Sequence, residues 1–496
     1  MTPISVLITI AAYFVILFLI SYLAGRKADN EGFFVGNRKS SWYVVAFAMI
    51  GSSISGVTYV SVPGMVAVSG FSYLQMVLGF VAGQFLIAFV LVPLFYRMNL
   101  VSIYEYLENR FGMSSYKTGA WFFFISKMLG AAVRLFLVCL TLQLLVFDPL
   151  NLPFILNVVA TVALVWLYTF QGGVKSLIWT DSLKTFCLIV SVVLCIYFIA
   201  SDLNLSFGGM VATIKDSDLS KMFFFDDVND KRFFFKQFFA GMFTMIAMTG
   251  LDQDMMQRNL SCKNFKDSQK NMITSGISQF FIISLFLMLG VLLYIYGAQN
   301  NLFTPQDVAQ GRMSSDEVFP LIATSSYFPM IVGILFIIGL ISSAYSAAGS
   351  ALTALTTSFT VDVLGIKNKK EDEVVKLRKR VHVGMAVVMG LVIVVFNLLN
   401  NTSVIDAVYT LASYTYGPIL GLFAFGIFMK KPVRDKFVPL VAIASPFLCL
   451  ILQKNSEAWF GGYKFSYELL ILNALFTFIG LCLLITSPQP SPKERE

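Results

Sequence analysis

Glycine and serine gather where an apolar chain has no need of them, in Gly51-Ser52-Ser53-Ile54-Ser55-Gly56-Val57-Thr58, with Pro63 and Gly64 one to two turns later. Glycine weakens a helix interior and serine competes for its backbone hydrogen bonds, so the segment predicts a broken helix. Ser55 and Thr58 are three apart, which puts both hydroxyls on one face. A second interruption, Thr249-Gly250-Leu251-Asp252-Gln253-Asp254, falls where another apolar run should continue. In a third stretch, Ser342 to Ser350, the spacing of Ser343, Ser346 and Ser350 lines their hydroxyls along one helical face. Hydroxyl and carbonyl oxygens are hard ligands suited to a small hard cation. Asp181 can add the negative charge, or it pairs with Lys184 one turn on, or it caps at the interface. Arg134 also falls inside an apolar run. A guanidinium there is costly unless it faces a cavity, a partner or the interface, and its fork suits a carboxylate. The competing readings are that Gly and Ser merely let helices approach, and that Arg134 snorkels or pairs with Asp406 or a carbonyl.

The elements that carry these residues are membrane helices. Of 496 residues 57% are hydrophobic and 13% charged, against about 25% charged in soluble domains. Apolar runs fall at 4–25, 42–69, 71–96, 119–147, 152–170, 178–201, 235–257, 272–297, 329–361, 382–400, 405–429, 437–452 and 467–486, about 13 spans by the 20-residue requirement. The first run begins MTPISVL without a basic flank, and is read as a retained span and not a signal peptide. Basic residues concentrate in alternate loops, among them Arg26, Lys27, Arg38 and Lys39, the cluster at 367–380, and Lys430, Lys431, Arg434 and Lys436. The positive-inside rule then places the N-terminus outside and the C-terminus in the cytoplasm. The 367–380 cluster reads as a solvated cytoplasmic linker, not a nucleic-acid patch. Trp42, Trp121, Trp179 and Trp459 lie near span ends, as interfacial belts require. Spans two to six (42–201) and seven to eleven (235–429) each open on an interrupted helix, and an odd repeat length makes the two sets inverted. Two helices (437–486) and a tail (487–496) follow. Paired interruptions of this kind mark a secondary-transporter site near the midplane.

Several functions are excluded. The one histidine, His382, beside a basic cluster, leaves no imidazole base, proton relay or His-rich metal site. The six cysteines are scattered without close pairs, and are read as reduced packing residues. No nucleophile–base pair lies within a span, so the chain is not read as an enzyme. The loop at 202–234 is assigned no function.

Taken together, GSSISGVTYVSVPG, YEYLENRFG, GGVKSLIWTD, GLDQDMMQRNL and the serine helix resemble the sodium/solute symporter family, whose members include sodium/glucose, proline and bacterial sialic acid transporters. The resemblance covers nearly the whole chain. It implies a LeuT-like, all-α membrane fold and a sodium site built from the carbonyls of Gly51, Ile54 and Ser343 plus the hydroxyl of Ser346. Ala347 departs from the pattern, where the family has a second serine; water or a displaced hydroxyl must replace that ligand. A second sodium site, found in some members, would use Asp181, Ser346 and Ser350, with Gly349 where the sialic acid branch has serine. Asp181 can shift coupling toward this second position or toward protons. Similarity to that branch implies Ser53, Ser55 and Thr58 as solute ligands and Tyr73 as an aromatic wall. The branch's carboxylate-binding arginine aligns with Gly130, which leaves Arg134, one turn on, to meet an acidic solute. Gln253, Asp254 and Arg258 can form an inner gate or cap a helix.

The expected function is sodium-coupled symport of a small polar solute, such as a sugar, a sugar acid or another carboxylate, by alternating access. Proton coupling and a transporter-derived sensor are the alternatives. No cofactor is expected beyond the coupling ion. The partners are sodium, the solute and the bilayer, with no nucleic acid, and the chain is expected to work as a monomer in a bacterial inner membrane.

Overall fold

The computed structural model describes residues 2–25, 42–98, 103–169, 174–260, 262–360, 371–399 and 403–486. Among these the chain is helical almost throughout. The helices used below are α1 (Pro3–Gly25), α2 (Trp42–Ser53), α3 (Gly56–Ser69), α4 (Tyr73–Leu86), α5 (Met113–Leu142), α6 (Phe154–Thr169), α7 (Val174–Asp202), α8 (Phe234–Met245), α9 (Gln253–Asn259), α10 (Phe265–Gln299), α11 (Ser315–Ala323), α12 (Met330–Ser358), α13 (Glu371–Leu399), α14 (Val404–Thr415), α15 (Gly417–Phe428), α16 (Val438–Trp459) and α17 (Leu469–Leu483). Each expected apolar run coincides with a helix or a broken pair. Seven described helices are long and apolar enough to cross a membrane, or nine with each bent pair taken as one span; three more are apolar but shorter.

The expected break in the second run is present. Val45–Gly51 and Gly56–Ser69 meet at 54°, with Ile54 and Ser55 outside both helices. Pro63 does not add a second break; it lies inside α3, where a neighbouring backbone packs against Gly64. The seventh run is interrupted as expected, since a π-helical turn Ile246–Gly250 ends at Leu251 and Asp252 before α9 starts. One expectation is corrected. The run 405–429 is not one helix, because α14 and α15 meet at 47° around Tyr416, where Pro418 sits in the first turn of α15. Proline has no amide to donate to the preceding turn and disfavours helix in the residue before it.

The expected linker at 367–380 is corrected in part: from Glu371 on it is the exposed start of α13. The segment after α7 folds back over the C-terminal end of α3 and the N-terminal end of α4. Phe71 N donates to Lys221 O at 3.0 Å, Phe224 N to Gln75 Oε1 at 3.1 Å, and Gln75 Nε2 to Arg232 O at 2.7 Å. The six cysteines are free thiols, all buried except the half-buried Cys482, in accord with a packing role.

Candidate functional site

A cavity of about 160 Å3 lies behind the break, lined by α2, α3, α4, α5, α8, α9, α10, α12 and α14. The break determines which oxygens are free. In a continuous helix Ser55 N would bond to Gly51 O and Thr58 N to Ile54 O. Here Ser55 N donates to Ser53 O at 3.1 Å, and Thr58 N donates to Ser55 Oγ at 3.3 Å. Ser55 is the N-cap of α3, a role its type favours. The donors that would occupy the carbonyls of Gly51 and Ile54 are therefore spent elsewhere.

α12 faces this break. A Cβ built on Gly56 would lie 3.6 Å from Ser343 Cβ and 3.5 Å from Leu340 O, so α3 begins directly against the serine helix. Ser343 is 2% exposed, lines the cavity, and its Oγ has no hydrogen-bond partner. Ala347 and Ser350 follow along the same wall, but Ser350 Oγ donates back to Ala347 O at 3.2 Å. The side chains of Ser346 and Asp181 lie outside the described part; their helices are α12 and α7.

Of the five expected solute residues, the structure brings four together. Ser53, Ser55, Thr58 and Arg134 all line the cavity. Among the described residues no carboxylate lies within ion-pair distance of Arg134. Its alternative partner Asp406 is engaged by Tyr467 OH and by Ser403 Oγ at 2.7 Å. Gly130, one turn back, also lines the cavity, and a Cβ there would meet nothing within 4 Å.

Tyr73 is placed differently from expectation. It lines a second cavity of about 1090 Å3, named the outer cavity for the proposed orientation, and its OH bonds to Tyr409 OH at 2.6 Å. The aromatic residues lining the first cavity are Phe80, Tyr409 and Tyr416 instead. α14 divides the two spaces, with Ile405, Val408 and Tyr409 on the inner side and Val404, Asp406 and Thr410 on the outer.

The interrupted run of α8 and α9 supplies a charged floor that sequence reasoning only partly reached. Lys127 Nζ lies 3.2 Å from Asp252 Oδ2 and 3.5 Å from Asp254 Oδ2. Tyr416 OH donates to Asp252 Oδ2 at 3.0 Å, Tyr104 OH to Leu251 O at 3.0 Å, and Ile103 N to Gln253 Oε1 at 2.8 Å. Arg258 Nε is 3.5 Å from Asp254 Oδ1. Asp254 and Arg258 thus share a network with Lys127, Gln253 on the same short helix holds Ile103 instead, and Asp252 is also the N-cap of α9. The missed members are Lys127, Asp252, Tyr416 and Gln279, whose buried Oε1 lines the cavity without a hydrogen-bond partner. The available signal was that Lys127 sits within an apolar run, where a charge demands a partner. Among the described residues the cavity is lined by Lys127, Arg134 and Arg258 against Asp252 and Asp254, a surplus of one positive charge.

Comparisons with known proteins give the family and the fold. A model of the sodium:solute symporter family matches residues 33–435. The sodium/sialic acid symporter NanT of Aliivibrio fischeri is 26% identical, over 83% of this chain and 80% of that protein. SiaT of Proteus mirabilis, also a sodium/sialic acid symporter, is 23% identical over 83% and 82%. The human sodium/iodide cotransporter is 25% identical over 82% of this chain and 62% of its own length. Among solved structures, a substrate-bound outward-open state of a Na+-coupled sialic acid symporter superimposes with TM-score 0.78 at 20% identity, covering 96% of this chain and 97% of that one. That likeness gives the fold.

Proposed function

The chain belongs to the sodium:solute symporter family, and with sodium-coupled solute symport as premise we propose that its solute is a small organic anion whose carboxylate is held by Arg134. The observation that carries this reading is a guanidinium lining the cavity with no carboxylate within ion-pair distance among the described residues. The relatives are named for sialic acid and iodide, anions in each case. Ser53, Ser55, Thr58 and the free Oε1 of Gln279 are the neutral groups that would meet the rest of the solute.

Sodium, in this reading, binds between the break and α12. The freed carbonyls of Gly51 and Ile54 supply one side, and Ser343 and Ser346 the other. Ser343 Oγ, buried and without a hydrogen-bond partner, is the displaced hydroxyl that replaces the oxygen missing at Ala347. Asp181, Ser346 and Ser350 form the second, partial position, and Asp181→Asn abolishes coupling if that position is used. A cation bridging α2–α3 to α12 orders Ser53, Ser55 and Thr58 and so raises solute affinity; the solute then raises sodium affinity by the same factor. The protein is a multi-pass membrane transporter. The proposed cell-membrane orientation, N-terminus outside and C-terminus cytoplasmic, is supported by the basic loops.

The test is thermal unfolding of the detergent-purified protein with sialic acids, sugar acids, monocarboxylates and neutral sugars, each in sodium and in potassium. A ligand at 100 times its Kd stabilises by about 2.7 kcal/mol. Acids should stabilise only in sodium, and Arg134→Ala should remove the effect. Equal stabilisation by neutral sugars, or in potassium, rejects the reading.

A further inference from the structure

The short helix α11 carries a carboxylate that neither the solute nor the sodium reading uses. Asp316 is 2% exposed and lies on the wall of the outer cavity. Its Oδ2 accepts a hydrogen bond from Val404 N, the first residue of α14, at 2.9 Å. Its Oδ1 has no hydrogen-bond partner. Ser61 of α3 sits beside it, close enough to favour the ionised carboxyl, yet the fully buried Ser61 Oγ completes no hydrogen bond either. The two helices meet backbone to backbone: a Cβ on Gly64, on the same face as Ser61, would fall 1.8 Å from Ser315 O. Tyr294 OH of α10 is directed to Gly64 O at 2.5 Å and not to the carboxyl.

A buried carboxylate held by one backbone amide, with no cation within ion-pair distance among the described residues, is costly in its charged form. A proton on Asp316 Oδ1 removes that charge and lets the carboxyl donate to Ser61 Oγ. We propose that Asp316 and Ser61 form a proton-binding site on the outer cavity, whose occupancy sets how firmly α11 clamps α3 to the start of α14. The surroundings favour the protonated form. Asp406 on α14 and Glu317 on α11 repel a charge on Asp316, Tyr294 is the ionisable group from α10, and α3 brings no charged residue. The basic residues Lys231, Arg232 and Lys464 also line the outer cavity.

Burial, reinforced by those carboxylates, pushes the Asp316 pKa from 3.8 to about 6. The sign follows from linkage: the buried arrangement binds the proton more tightly than a hydrated one, so acid favours the clamp. As pH rises through about 6 the ionised carboxyl favours arrangements in which α11 lifts and Asp316 gains water. Two pH units of difference correspond to a shift of about 100-fold in that equilibrium. α14 carries the consequence inward, since its Tyr409 meets Tyr73 between the cavities.

Infrared difference spectra of the purified full chain, taken between about pH 7.5 and pH 4.5 in potassium buffer, read the carboxyl directly. A protonated-carboxyl C=O band should appear with a midpoint near pH 6, vanish in Asp316→Asn and shift in frequency in Ser61→Ala. A second reading is the melting temperature of the wild type relative to Asp316→Asn, which should fall as pH rises from about 5 to about 7. The proposal is overturned if the band persists unchanged in Asp316→Asn, or if the melting difference is constant across that range. It is equally overturned if sodium suppresses the band at fixed pH where potassium does not, because the oxygens would then hold a metal ion.

Discussion

Ser55 performs two tasks with one oxygen. It caps α3 through Thr58 N and stands 3.3 Å from Thr58 Oγ1 at the cavity wall. Ser55→Ala should cost about 1 kcal/mol of stability through the lost cap and also weaken solute binding, whereas Ser55→Gly, which keeps capping within a few tenths of a kcal/mol, should lose mainly the binding; melting curves with and without solute separate the two. The floor behaves differently. The side chains of Lys127 and Asp252 are 11% and 5% exposed, and removing one partner of a buried pair costs about 3–5 kcal/mol. Lys127→Met should therefore destabilise strongly, and Lys127→Met with Asp252→Asn should recover much of the loss in the same denaturation assay. Asp252 and Lys127 are 125 residues apart in the chain. That separation is why the sequence shows Lys127 inside an apolar run without identifying its partner.

Helices announce their breaks locally and their contacts hardly at all. The α2–α3 interruption was legible because Gly and Ser in one run act on the backbone of that run; the bend at Tyr416 had an equally local cause in Gly417-Pro418 and could have been read. What no periodicity reveals is which neighbour a face meets. Tyr73 and Tyr409 are 336 residues apart, and nothing local in the sequence shows that Tyr73 meets Tyr409 between two cavities. Gly64 and Gly130 look alike in sequence but have opposite surroundings. Gly64→Ala would drive a Cβ to 1.8 Å from Ser315 O, while at Gly130 nothing lies within 4 Å. Gly64→Ala should lower the melting temperature by several degrees or abolish expression, and Gly130→Ala should be close to silent in the same measurement.

For the molecule as a whole, coupling requires that sodium alone change the break. Hydrogen exchange of peptides spanning 51–58 and 340–350 should slow in sodium relative to potassium, with the α16–α17 region unchanged, and equal exchange in the two salts would reject a cation at the break. The larger consequence belongs to α14 and the Tyr73–Tyr409 hydrogen bond, which stand between two cavities. With water in both and the charged floor opened to the far side, the membrane voltage falls mostly across that thin layer instead of across the full bilayer. A cation or a charged solute moving past Tyr409 then crosses most of the field in a few ångströms, where each elementary charge gains or loses about 2.3 kcal/mol per 100 mV. Net charge carried in this step makes the transporter an electrical device, whose turnover follows membrane potential as well as concentration.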